Sequence, residues 1–338
     1  MLMRPVQQND IDALHHLAKN SGIGVTSLPD NLKKMQAKLA QSLASFAQTN
    51  APAERLYLFA LEDETNGQLV GICALEASIG HDDVWYNYHV SKSVHASKDL
   101  GVHKVTQTLY LVNDLTGCSE IATLFLMPDY RKNQNGQLLS RSRYLFLAEH
   151  PQLFGDEIIA EMRGVSDEQG RSPFWESLGQ HFFKMTFSDA DYLTGLGDKM
   201  FIAELMPKFP IYSPMLSHEA QRVIGQVHPQ TEPALAMLKS EGFDFNGYVD
   251  IFDAGPTVEA DISNIKTIRD CQNRTVVIGD MAQGSETSFM LSNHKLVDFR
   301  ALLSTMTLDA NSETVTLSAE LANALHVSEG DVITIAPL

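Results

Sequence analysis

Leu124-Phe-Leu-Met-Pro-Asp-Tyr-Arg131, then Lys132-Asn-Gln-Asn-Gly136 and Gln137-Leu-Leu-Ser-Arg-Ser-Arg-Tyr-Leu-Phe146, reads as a buried strand, a short polar loop and a helix. Residues 121–126 are apolar on both faces apart from Thr123, the pattern of a strand covered on both sides. Pro128 and Asp129 close the strand. Leu138 and Leu139 recur two helical turns later as Leu145 and Phe146, an apolar stripe. The loop between them carries Arg131, Lys132 and Gly136. A helix N-terminus presents free N–H groups and the positive end of a dipole, so the loop is a candidate anion site. Taken alone, these features favour an ordinary strand–turn–helix with a solvated Arg-Lys pair, since anion loops are a minority of such turns.

The order of residues adds to this. Leu-x-Leu-x-Pro-x-Tyr-Arg131-x-x-Gln134-x-Gly136-x-x-Leu-Leu resembles the acyl-CoA-binding motif of the GNAT acyltransferase superfamily. That superfamily has Arg/Gln-x-x-Gly-x-Gly/Ala at the loop. Gln134 stands where the first glycine is expected, and its Cβ disfavours positive φ.

The 338 residues suffice for two domains, or one with an appendage. A net charge of −17 repels nucleic acid and anionic membranes, so neither is an expected partner. An anionic CoA ester then needs local positive charge, for which Arg131, Lys132, Arg141 and Arg143 are the candidates. The three cysteines, Cys73, Cys118 and Cys271, lie far apart without metal-ligand spacing, so buried thiols in a reducing cytoplasm and no metal are expected. His81-Asp82-Asp83 reads as a solvated turn, since adjacent residues converge poorly on one ion. Neither a signal peptide nor the ~20 apolar residues of a membrane helix is seen.

Along the chain, Arg4-Pro5-Val6 predicts a strand, residues 10–18 and 31–47 predict helices, and residues 56–62 and 69–79 predict paired strands. This β-α-α-β-β order is how GNAT domains begin. Residues 81–94 read as loop with a short strand, and residues 109–113 as a further strand. Residues 158–165 predict a strand, Ser172-Pro173-Phe-Trp175 opens a helix ended by Gly179, and residues 184–187 predict another strand. Pro233 to Gly242 predicts a helix and residues 248–253 a strand. The outlines Pro173…Gly179…Phe183 and Pro233…Gly242…Phe243 are alike, so two related α/β halves are expected. Beyond residue 265 come short strand-like runs. The expectation is an α/β (α+β), GNAT-like fold, duplicated, with an acyl-CoA-binding half at 1–190, a second half at 191–264 and a small β-rich C-terminal appendage at 265–338.

Ile224-Gly-Gln-Val-His228-Pro-Gln-Thr-Glu-Pro sets a histidine in a turn-rich loop before a helix, with two prolines restraining the backbone. An imidazole there exchanges protons near neutral pH. With 12 histidines in the chain, a structural role is the commoner one for any of them.

Several segments together narrow the resemblance: Trp85-Tyr-Asn-Tyr88, Thr123-Leu-Phe-Leu126, Glu161-Met-Arg-Gly-Val165, Ser172-Pro-Phe-Trp175, Phe201-Ile-Ala-Glu-Leu-Met-Pro-Lys208, Gly225-Gln-Val-His-Pro-Gln230 and Tyr248-Val-Asp-Ile-Phe-Asp253. With Thr26-Ser-Leu-Pro29 and Val94-His-Ala-Ser-Lys98, they look like the arginine N-succinyltransferase family. The resemblance implies succinyl-CoA as co-substrate, no permanently bound cofactor, and L-arginine as acceptor. It implies a succinyl-CoA contact at Leu124 and a proton-donating histidine at His228. Arg131, Gln134 and Gly136 complete the expected CoA site. Arg163 is a candidate for the succinyl carboxylate and Asp250 for the guanidinium. Alternation along the expected strand puts Asp250 and Asp253 on opposite faces. Trp85, Tyr86 and Tyr88 are candidates for the pocket wall. A thioester is already activated, so the chemistry calls for orientation and proton transfer rather than a metal. Succinylation of ornithine or another basic amino acid, or acyl-CoA sensing without catalysis, are the alternatives. A homodimer, or a heteromer with a related subunit, is the expected assembly.

Overall fold

The structure is a computed structural model that describes residues 1–21, 27–81, 83–195, 205–281, 287–309 and 311–338. Thr26, Asp82 and residues 201–204 of the quoted motifs lie outside these. The strands are β1 (Leu2–Pro5), β2 (Leu56–Asp63), β3 (Gln68–Glu76), β4 (Asn87–Ser97), β5 (Val102–Val112), β6 (Ser119–Leu126), β7 (Glu157–Glu161), β8 (Ile211–Tyr212), β9 (Tyr248–Val249), β10 (Thr257–Asp261), β11 (Gln272–Ile278), β12 (Ser288–Asn293), β13 (Ala301–Thr305), β14 (Thr314–Leu317) and β15 (Val332–Pro337). Among the described residues, eleven of them form one sheet in the order β10-β7-β6-β3-β2-β1-β13-β12-β15-β11-β14. A second sheet has the order β8-β5-β4-β9.

The α/β architecture expected from the sequence is the one observed. Helices α1 (Ile11–Asn20) and α2 (Leu32–Phe46) cover the face of β2 and β3 that carries Leu56, Leu58, Ala60, Ile72 and Ala74. Asn31 caps α2 by accepting from the Lys34 N–H at 3.1 Å. Helix α3 (Asn135–Glu149) lies on the other face, against Tyr57, Phe59, Cys73 and Leu75. Its residues 138–147 are buried all round, because β1, β13, β12 and β15 extend the sheet beneath it and the helix Lys266–Asp270, with Glu241 beside it, covers it from outside. Phe146 sits at 5.0 Å from Phe59 and 5.1 Å from Phe299, edge to face, an arrangement that ties this segment to the core. The β-rich C-terminal segment therefore extends the main sheet through the β1–β13 pairing.

Several expectations are corrected. Among the described residues, 191–264 build no second sheet of their own: β8 and β9 join the small sheet beside β5 and β4, and β10 edges the main one, antiparallel to β7. The two similar Pro…Gly…Phe outlines thus mark helix boundaries rather than two equivalent halves. Residues 87–112 form a long hairpin, where the sequence predicts loop with a short strand at 81–94 and a further strand only at 109–113. Tyr88, Val90, Val94 and Ala96 alternate with polar residues along β4, with Lys92 alone breaking the row, and are the signal for a longer strand. Gly179 opens a helix, Gly179–Phe183, rather than ending one; a Cβ there would lie 2.3 Å from the Trp175 ring. Residues 184–187 are not a strand, since a helix begins at Phe187. Asp250 to Asp253 is a turn, not strand, so the two carboxylates are neighbours.

Candidate functional site

Strand β6 is the key element. Opposite β3, its register slips between Ile72 and Ala74, and Thr123 takes φ 55°, the left-handed region that a β-branched residue seldom occupies. The parallel pairing of β6 with β7 covers only Ser119–Ile158 and Glu120–Ile159. Beyond those pairs the two strands diverge. A bulge and a splay at one place interrupt the ladder, so backbone groups there have no strand partner.

A cavity of about 500 Å³ occupies the gap. Ile121 to Leu124 line it from β6, and residues 160–163 from β7 and its continuation. Lys34, Lys38 and Gln41 of α2 line it as well, together with Ser140 and Arg143 of α3. Since α2 and α3 lie on opposite faces of the sheet, the cavity passes through it.

Leu124, Arg163 and Asp250 all line this cavity, as do Trp85 and Tyr86. Tyr88 does not; it is buried in a separate core with Phe174. His228 is joined to the site through the backbone. Its N–H donates to the Arg163 carbonyl at 2.8 Å, and the carbonyl of His228 accepts from Thr231, which lines the cavity. The His228 ring is half-buried, and its Nδ1 accepts from the Gln230 N–H at 3.2 Å. With Nδ1 as acceptor, the neutral ring carries its proton on Nε2. Burial, and then the nearby Arg163 charge, lower its pKa below 6.5, against a hydrogen bond with the Ser166 backbone that raises it.

The segment carrying Arg163 is braced from below. Asp253 accepts from the Gly164 N–H at 2.7 Å and the Gly255 N–H at 2.8 Å. The approach is so close that a Cβ on Gly164 would lie 2.5 Å from the Asp253 carboxylate. Asp250 Oδ1 accepts from the Phe252 and Asp253 N–H groups at 2.7 and 2.8 Å. Burial raises the pKa of both acids, and Asp250 raises that of Asp253 further.

Arg131, Gln134 and Gly136 stand apart from the cavity lining, on the loop entering α3. Arg131 Nε donates to the Leu126 carbonyl at the end of β6, at 3.0 Å. Gln134 is left-handed at φ 63°, the conformation a glycine would give, so its Cβ does not divert the loop. Arg141 and Arg143 are not an anion cluster, contrary to the sequence reading. Arg141 pairs with Glu241 at 2.7 Å, and Arg143 is 1 % exposed and donates to the carbonyls of Ala74, Ala122 and Ser140. Arg143 is buried against the carbonyls of β3 and β6, and Arg141 beneath the segments that carry Glu241 and Thr267, with the Pro337 carbonyl beside it.

Sequence reasoning missed Glu76, Glu120, Lys34 and Lys38 as cavity residues. Glu120 in an otherwise apolar buried strand was the available signal. Among the described residues there is no group of three or more His, Cys, Asp or Glu placed to hold a metal, and no helix long and apolar enough to cross a membrane.

Comparison with known proteins follows the same line. Residues 1–267 match the family described as arginine N-succinyltransferase beta subunit, and residues 272–337 match its C-terminal domain. Arginine N-succinyltransferase subunit beta of Pseudomonas aeruginosa is 49% identical over 338 residues, covering 100% of this chain and 98% of the relative. Arginine N-succinyltransferase of Escherichia coli is 48% identical, with the same coverage. The solved arginine/ornithine succinyltransferase subunit AI from Pseudomonas aeruginosa superposes with a TM-score of 0.91 at 38% identity, covering 99% of this chain and 98% of that one.

Proposed function

The chain belongs to the arginine N-succinyltransferase family, and from that premise we propose that it transfers the succinyl group of succinyl-CoA to the α-amine of L-arginine. The observation that carries this reading is the cavity through the sheet at the β6 bulge, with His228 fastened to its rim. A pantetheine arm has amides to pair with, and the unpaired backbone around Leu124 supplies partners in the gap. The loop at Arg131, Gln134 and Gly136 gives the CoA phosphates a helix N-terminus and a cation.

The α-ammonium first loses one proton to become the nucleophile; the amine attacks the thioester carbonyl and an oxyanion forms; the nitrogen gives up a second proton as the C–S bond breaks, and the leaving thiolate takes up one proton. His228 is assigned the proton-handling role: its Nε2–H, engaged with the Ser166 backbone in the free protein, turns to the developing oxyanion or the sulfur once substrate is bound. A neutral imidazole suits hydrogen-bond donation at pH 7, and the lowered pKa keeps the ring neutral there. Arg163 is assigned the succinyl carboxylate, through a forked guanidinium contact. Asp250, with one oxygen committed to two backbone N–H groups, sits where it braces the turn beside the pocket. The relatives' names, subunit beta and subunit AI, support work in an assembly, with a related second chain or with another copy of this one; three free cysteines suit the reducing cytoplasm as the proposed compartment.

Ornithine is the second acceptor to weigh, because the superposed structure is named for both amino acids. An acceptor screen with arginine, ornithine and lysine at fixed succinyl-CoA tests the reading. The highest kcat/KM is expected on arginine, and a clear preference for another amine would replace it.

A further inference from the structure

We propose that the guanidinium of the acceptor is held by Glu76, Glu120 and Glu161, which three adjacent strands bring onto one face of the sheet where the cleft begins. The inference rests on the reading that arginine is the acceptor, and it deepens that reading by naming the residues that recognise it.

Register fixes the arrangement. Glu76 of β3 is the direct cross-strand partner of Glu120 of β6, and Glu120 in turn is level with Ile159 of β7. Glu161 is two residues beyond Ile159, hence on the same face. All three line the cavity. Glu120 is in the last paired position before β6 and β7 part, so it stands at the vertex of the splay. A planar guanidinium with five N–H donors meets several carboxylates at once, where a primary ammonium is a point charge. Glu161 is already oriented, since it accepts from Asn87 Nδ2 at 2.9 Å. Trp85 and Tyr86 line the same space and offer ring faces to a cation.

A separate observation says that this wall takes a polar ligand. Thr123 lines the same cavity, is 6 % exposed, and its Oγ1 is buried with no hydrogen-bond partner in the protein. Such a hydroxyl is costly unless something binds it. Thr123 lies three residues along β6 from Glu120. An amino acid laid along the strand with its guanidinium at Glu120 brings its α-amino end to the bulge at Thr123 and Leu124. Lys34 and Lys38 of α2 face this wall, and they supply countercharge for the α-carboxylate.

The test compares L-arginine with L-citrulline, its neutral isostere, on the full-length wild type and on Glu120→Gln and Glu76→Gln. KM for arginine should rise by about tenfold or more, the loss of one charge-assisted contact. Its advantage over citrulline, read by competition, should shrink by a similar factor, and KM for succinyl-CoA should stay within about twofold. An unchanged arginine KM in both variants overturns the assignment, as does an equal loss on arginine and citrulline, which would mean proton transfer or structure. If Glu120→Gln no longer binds succinyl-CoA, Glu161→Gln carries the same comparison. A wild type that releases no thiol with arginine fails the functional reading instead, and the assignment falls with it.

Discussion

The backbone N–H of His228 donates to the carbonyl of Arg163 at 2.8 Å. This bond joins a loop 65 residues downstream to the arm of the cleft, and it puts a guanidinium beside an imidazole. Asp253 holds the next residue, Gly164, from the opposite side. The spacing of the rim therefore depends on backbone contacts, not on the imidazole itself.

The first prediction concerns pH. Burial and Arg163 lower the His228 pKa, so the ring charges only below pH 6.5. If the neutral ring is the working form, kcat is level near neutrality and falls on acidification through that lowered value. Arg163→Gln removes the nearby positive charge, so the acid limb should move up toward 6.5. A pH profile of kcat in both proteins measures this. A limb that does not move, or activity that rises on acidification, contradicts it.

The second concerns Leu124. The proposed contact with succinyl-CoA runs through its backbone, so Leu124→Ala should leave KM for succinyl-CoA within a fewfold. Leu124→Pro removes the N–H and should raise that KM by about tenfold or more. Steady-state kinetics with thermal unfolding as a control distinguishes the two. Equal effects of both substitutions would show that the side chain is what matters.

The third concerns stability. His150 is buried against Phe146, with ring centroids 4.8 Å apart, and burial followed by the charge of His294 lowers its pKa to about 4. The unfolded chain takes up that proton near pH 6.5, while the folded chain resists it down to about 4. Stability is therefore retained above pH 6.5 and lost as pH falls from 6.5 toward 4, by about 3 kcal/mol in all. Denaturant unfolding across that range measures the slope. His150→Leu should flatten it, and an unchanged slope would rule out His150 as its source.

Much of this architecture is legible in the sequence because period and punctuation agree there. The helix before Ala47 has a cap at Asn31 and apolar residues at helical spacing, and both survive in the fold. The strand ending at Leu126 reads as buried because it is covered on both faces. The sequence reading fails where tertiary contacts override local pattern. The β4–β5 hairpin runs beyond its buried base: Tyr88 and Leu109 enter a core, while Val94, Val102 and Val105 are exposed, so its outer half lacks the burial that a strand pattern usually reports. Arg141 and Arg143 look like surface cations but become interior ones, because Arg143 faces the carbonyls of β3 and β6 and Arg141 is covered by the segments carrying Glu241 and Thr267. Asp250 and Asp253 look like alternating strand residues, yet a turn brings them together. Glu76 and Glu120 are separated by 44 residues, and only strand register makes them neighbours.

The central claim is that one cleft joins a succinyl thioester to an α-amine under the hand of His228. The most direct measurement follows free thiol released from succinyl-CoA on addition of L-arginine, with the product identified by mass spectrometry, for the wild type and His228→Ala. The wild type should release one thiol per N-succinylarginine formed, and the variant should keep its fold and lose about 10²–10⁴-fold in kcat. Binding of succinyl-CoA without arginine-dependent thiol release, or wild-type turnover by His228→Ala, would contradict the account.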